Sequence, residues 1–218
     1  MTRHLRFLVA ASLIATALLN VGSMLLGPGL PTDPAGRLAA LADAGASATA
    51  SGLMFAFSQL PFAVGMIGLA VWLRPASSKL ATTGGNLALL GAFGHAVWAG
   101  VMLLELVMAA DEPNRAIHAE LLADVESSPV FIPFLLFGLA GTVLGVLLIS
   151  IALWRSRREP RWIAPTLWAF LVVEFVGSNV SDWATYLSGT LYAAALIALA
   201  VRLASDRAQA PAVRAPLS

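Results

Sequence analysis

Apolar residues run along this chain in long continuous stretches, without the two-residue alternation of a membrane barrel strand. A helix that crosses a bilayer needs about 20 mostly apolar residues. Six stretches reach that length: residues 7–27, 52–73, 86–110, 130–154, 162–181 and 184–204. Helix is the form expected for each, because a spanning segment must satisfy its backbone polar groups internally. The pattern predicts an all-α fold, a polytopic membrane protein built as one six-helix bundle. Residues 205–218 are expected to form a flexible tail.

Two connections are long. Asp33 followed by Pro34 reads as a helix N-cap and a first-turn proline, so Leu38 and Leu41 fall on a short helix at the membrane surface. In the second connection Ile117, Leu121 and Val125 recur every four residues, with Glu120 and Asp124 elsewhere around the helix. This spacing predicts an amphipathic helix over residues 113–125, lying on the outer surface with the stripe turned inward. No internal repeat is evident.

Composition and charge sharpen the picture. Hydrophobic residues make up 59% of the 218 and charged ones only 11%, against about 25% charged in an average soluble domain. Lipid must therefore cover much of the surface. Of the thirteen Lys and Arg residues, all but Arg37 and Arg115 fall at the N-terminus, in the second and fourth connections, or in the tail. The positive-inside rule then puts both termini in the cytoplasm of a cell-membrane protein. The first stretch follows Arg3, His4 and Arg6, as a signal peptide would. Its apolar run is too long for one, and we read it as an uncleaved first span.

Small residues supply the means of packing helices in lipid. Ala88, Ala92, Ala96 and Gly100 form a four-residue ladder; Gly141 and Gly145 form a second, and Gly65 and Gly68 lie beside Pro61. These read first as contacts within the bundle, with a homodimer face as the alternative. Trp72, Trp154 and Trp162 flank the basic connections, and Trp183 and Tyr186 sit near the opposite boundary, as membrane anchors do.

Candidate chemistry is confined to a few positions. Glu105 and Glu174 stand inside apolar stretches, where an acidic side chain carries an insertion penalty of about 2.5–3.5 kcal/mol. Counting about 1.5 Å per residue puts Asn20, Gln59, Glu105 and Glu174 at a similar level in the outer half. Trp98 shares a helical face with Glu105. Phe170 shares one with Glu174, with Asp182 close to the mouth, and His95 lies deeper. The expectation is one outward-opening cavity with Glu105 and Glu174 as its chemical groups. Trp98, Phe170, Gln59, Asn20, Asp182 and His95 would bind substrate. His118 among Asp111, Glu112 and Glu120 reads as a solvated acidic face, and no metal is expected.

The chain has no cysteine and no P-loop, dinucleotide fingerprint, HExxH or GxSxG motif. Thiol chemistry, nucleotide-driven transport and standard hydrolysis therefore lack support. No cofactor is expected, and a net charge of +1 gives no reason to expect nucleic acid. A carboxyl held in low dielectric retains its proton and can act as a general acid on an alkene. In this plan, with two buried glutamates in a cysteine-free helical bundle, the chain is similar to small bacterial integral-membrane terpene cyclases. The resemblance implies acid-initiated cyclisation of an isoprenoid-like apolar substrate. The alternative is a small transporter, or a membrane sensor or assembly subunit, with the same carboxyls binding protons or cations.

Overall fold

A computed structural model describes residues 1–157, 160–177 and 180–205; for Asp182 the backbone alone is described. The chain forms α1 (Arg3–Leu26), α2 (Pro34–Ala44), α3 (Ala46–Ala110), α4 (Arg115–Ser127), α5 (Ile132–Leu136), a π-helical turn (Phe137–Gly141), α6 (Thr142–Ser156), α7 (Ile163–Phe175) and α8 (Asp182–Ser205). No strand occurs among the described residues. The expected tail from residue 206 onward lies outside them.

Four described helices are long and apolar enough to cross a membrane: Arg3–Leu26, Ala46–Ala110, Ile132–Ser156 and Trp183–Ser205. Ala46–Ala110 is 65 residues of helix broken at Ser77 (φ −156°, ψ 66°). Pro75, just before the break, has no N–H to give the preceding turn, and its ring crowds that turn's carbonyl. The two halves fold back on each other. Gly85 packs on Ala70, the rings of Phe55 and His95 meet edge to face at 5.9 Å, and Gly52 packs on Leu103 and Leu106. α3 is therefore a helical hairpin of two antiparallel rods, 46–76 and 78–110. The stretch read as 162–181 is a shorter helix than expected. α7 has 13 residues and ends at Phe175, just before Gly177.

Six rods close into a ring. α1 packs on the first half of α3, whose second half packs on α6; α6 packs on α7, α7 on α8, and α8 on α1. Small residues let the backbones approach. A Cβ at Gly94 would lie 2.2 Å from the Gly138 nitrogen, and one at Gly145 would lie 2.5 Å from the Ala88 nitrogen. The contact line on α3 runs Gly84, Ala88, Gly91, Gly94. The expected ladder is corrected beyond Ala92: Ala96 and Gly100 are exposed. A strict four-residue step overruns the 3.6-residue turn, so each step rotates the ladder about 40° off the contact line. Between α6 and α7, Trp168 Nε1 donates to Ser150 Oγ at 2.7 Å.

The tight apolar core occupies the half of the ring bearing Arg3, Arg74 and Arg155. Leu69, Leu73, Leu153, Ile163, Leu167, Leu199 and Leu203 are all buried there. Leu8, Leu18, Leu60, Val107, Val172 and Val201 face outward around the ring, as lipid-facing positions do.

At the other end the two long connections fold together as a cap. Gly45, with φ +54°, makes the turn from α2 into α3. Leu38 and Leu41 of α2 and Leu122 of α4 bury themselves against Ala48, Met108 and Ala109 at the ends of the hairpin. A helix over 113–125 was expected, but its inward face is different. Leu122 is buried, while Ile117 and Leu121 are 64% and 48% exposed. The packed face follows Ala119 and Leu122, which meet α2, a partner that spacing within one segment does not reveal.

Candidate functional site

In the half of the ring nearest the cap, the core gives way to a central cavity of about 190 Å³ to which every rod contributes. Asn20 and Met24 come from α1, and Phe55, Gln59 and Phe62 from the first half of α3. His95 comes from its second half and Thr142 from the start of α6. α7 adds Phe170, Glu174 and Phe175, and α8 adds Thr185, Ser188 and Tyr192. Five of the residues singled out from sequence thus converge: Asn20, Gln59, His95, Phe170 and Glu174.

Their hydrogen bonds give the cavity its character. Asn20 Nδ2 donates to the Thr16 carbonyl at 2.9 Å. Gln59 Nε2 donates to the Phe55 carbonyl at 3.1 Å and to Ser58 Oγ at 2.9 Å. Both Gln59 amide hydrogens are bound within its own helix, so Gln59 offers its amide oxygen, whereas Asn20, with one amide hydrogen bound, keeps its oxygen and a second N–H. Ser188 Oγ donates to Glu174 Oε2. His95 Nδ1 and Thr142 Oγ1 lie 3.3 Å apart. The polar lining therefore sets acceptor oxygens beside hydroxyl and amide donors, and rings fill the space between them; Phe170 and Tyr192 stack at 4.5 Å. Acceptor oxygens and aromatic faces together favour positive charge or a hydrogen-bond donor.

Glu105 lies elsewhere, which corrects the expectation of a shared cavity. Its carboxylate is buried under the cap, with Oε2 3.2 Å from Arg37 Nε of α2. Arg37 Nε has no hydrogen bond, so this contact is an ion pair off the donor axis. Arg37 Nη2 donates in turn to Glu126 of α4, and one arginine ties three elements. Ten residues of helix, about 15 Å, separate Glu105 from His95 along the axis. The arginine next to the cap's other helix is also structural, with Arg115 Nε and Nη2 donating to the Ala109 carbonyl at 3.1 and 2.9 Å at the end of α3. Beside it, hydrogen bonds from His118 and Asn114 hold the Asp111 carboxyl below the usual carboxylate range.

Trp98 is also absent from the central cavity. It lines a second, apolar groove of about 170 Å³, together with Phe131, Phe134, Leu135 and Leu139, and His95 borders both spaces. The side chain of Asp182 lies outside the described residues, so its expected place at the mouth has no description. Another cavity, about 370 Å³, sits at the basic end beside Trp154, Arg157 and Arg161 and contains none of these polar residues.

Sequence reasoning passed over Thr142, Thr185, Ser188 and Tyr192. On α8 the signal was present: residues 185, 188 and 192 follow a three-then-four spacing that puts their polar groups on one face. Thr142 gave no such signal, because its place depends on the π turn immediately before it.

No known protein-family model matches this chain, and no curated protein or solved structure matches it.

Proposed function

We propose that the central cavity is the active site of an intramembrane acid-catalysed isomerase or cyclase acting on an isoprenoid-like alkene, with Glu174 as the proton donor. The observation that carries this reading is that Glu174 is the one carboxyl among the described cavity residues and stands among aromatic walls. In the proposed step the protonated Glu174 gives its hydrogen to one alkene carbon. The π pair becomes the new C–H bond, and the neighbouring carbon becomes cationic. The faces of Phe55, Phe62, Phe170 and Phe175 are the groups available to stabilise that charge. Loss of a proton from an adjacent carbon to the Glu174 carboxylate restores the acid and leaves an isomer; attack by a second double bond before that loss gives a ring. Ser188 holds the carboxyl by donating to Oε2.

This reading includes a six-span topology with both ends in the cytoplasm. The hairpin of α3 would supply two crossings, and α7 with the residues that follow it in sequence would supply the fifth. The test uses protein in lipid nanodiscs, D₂O buffer and a panel of short prenyl alkenes. Deuterium should enter carbon positions of the substrate, detected by mass spectrometry, and Glu174→Gln should abolish incorporation while the protein stays folded. If wild type and Glu174→Gln incorporate the same background across the panel, acid catalysis fails.

The second reading is proton or cation carriage through Glu174. The acceptor oxygens of Asn20 and Gln59 in the same cavity as Glu174 favour it. Glu174-dependent proton movement across liposomes, without deuterated product, would select this reading over the first.

A further inference from the structure

The central cavity is small for its proposed task. Ligand sites commonly enclose about 300–1,000 Å³, and this one encloses about 190 Å³. A long hydrocarbon chain does not fit within it. The apolar groove beside Trp98 adds about 170 Å³, and the two spaces together reach the lower end of that range.

They are also neighbours. His95 forms part of both linings, and one short segment serves both from the opposite side. Leu139 of the π turn lines the groove, and Thr142, directly after the turn, lines the cavity and meets His95. A π turn carries an extra residue per hydrogen-bonded loop and often marks a functional position. Here it lets Leu139 and Thr142, three residues apart on one rod, face two different spaces. The chemistry changes across His95, from amide oxygens, hydroxyls and a carboxyl on one side to Trp98, Phe131, Phe134, Leu135 and Leu139 on the other. Leu135 and Leu139 are 44% and 51% exposed, so the groove opens at the side of the bundle, where lipid would lie.

We propose that the groove seats the apolar chain of a single-chain, membrane-dissolved amphiphile whose reacting end lies in the Glu174 cavity. The substrate would thus span both sides of His95 and arrive laterally from the bilayer. This inference rests on the reading of the central cavity as the reaction site, and it names the substrate class for that site.

The experiment uses the whole protein in nanodiscs and three photoactivatable probes. Two are farnesol analogues with a diazirine beside the hydroxyl or at the far end of the chain. The third is a five-carbon prenol analogue small enough for the cavity alone. Cross-linked peptides are mapped by mass spectrometry, with excess plain farnesol as competitor. The far-end probe should label the peptide containing Phe131 to Leu139, the hydroxyl-end probe should label peptides around Gln59 and Glu174, and farnesol should displace both. Leu139→Trp should lower groove labelling about tenfold, as expected for losing an apolar seat, without changing cavity labelling by the short probe. Leu135→Trp, at another exposed position, is the second variant should the first fold poorly.

Far-end labelling spread evenly over Leu60, Val107 and Val172 and unaffected by farnesol would identify ordinary surrounding lipid and overturn the proposal. If the short probe labels the cavity but no far-end label reaches the groove, this inference fails while the reaction site stands. Groove labelling with no probe in the cavity overturns both.

Discussion

Gly94 and Gly100 occupy the same rod of α3 and differ completely in what surrounds them. A methyl at Gly94 would press on the Gly138 backbone, whereas one at Gly100 would meet nothing within 4 Å. Gly94→Ala is therefore expected to destabilise the protein by about 1–3 kcal/mol through overpacking. Gly100→Ala should be neutral or stabilising by up to about 1 kcal/mol, since alanine is the better helix former. Thermal unfolding of the two variants in detergent checks the contrast, and equal losses would mean that the α3–α6 seam is looser than described. At this scale the central site was partly legible from sequence. Asn20, Gln59 and Glu174 reveal themselves because polar groups are rare in apolar stretches, and counting helical rise brings them to one level. Glu105 obeys the same arithmetic yet belongs to the cap, because its partner Arg37 stands in a connection whose folded position no periodicity reports.

The cap elements α2 and α4 depend on that arginine. Arg37 reaches Glu105, whose side chain is 4% exposed, and Glu126, whose side chain is 33% exposed. Removing Arg37 would leave a buried carboxylate without its counter-charge, which typically destabilises by about 3–5 kcal/mol. Arg37→Leu should therefore be strongly destabilising, while Arg37→Leu combined with Glu105→Leu should recover much of the loss. Glu126→Ala should matter little, within about 1 kcal/mol, because water screens the outer member of the trio. A double-mutant cycle by chemical unfolding measures this, and additive losses would argue against a direct Arg37–Glu105 pair. The helices of the cap were legible from Asp33-Pro34 and from the spacing of Ile117 and Leu121. Their mutual packing was not, because Leu38 and Leu122 are far apart in the chain and join only when both connections fold over the same end of the hairpin. The π turn was equally silent, since residues 137–141 read as ordinary apolar helix.

The whole molecule is a ring of six rods, dense at the basic end and hollow near the cap. Reporter fusions after Lys79 and Arg158 are expected to report cytoplasm and fusions near Ala46 and Asp124 the exterior; a cytoplasmic signal at Asp124 would overturn the six-span arrangement. The ring also makes α1 and α8 neighbours, with Met24 against Gly189. During synthesis α1 therefore waits in the bilayer for a partner made more than 150 residues later. Local pairs such as the α3 hairpin can form early, whereas a contact of such long sequence separation forms late. In the interval the nascent chain exposes Asn20 and Gln59, and then Glu174, along an unclosed cleft, and polar side chains are costly in hydrocarbon. A chain stalled before α8 would lack the Ser188 hydroxyl that meets Glu174. It would present to membrane chaperones and proteases the same polar surface that the finished protein encloses.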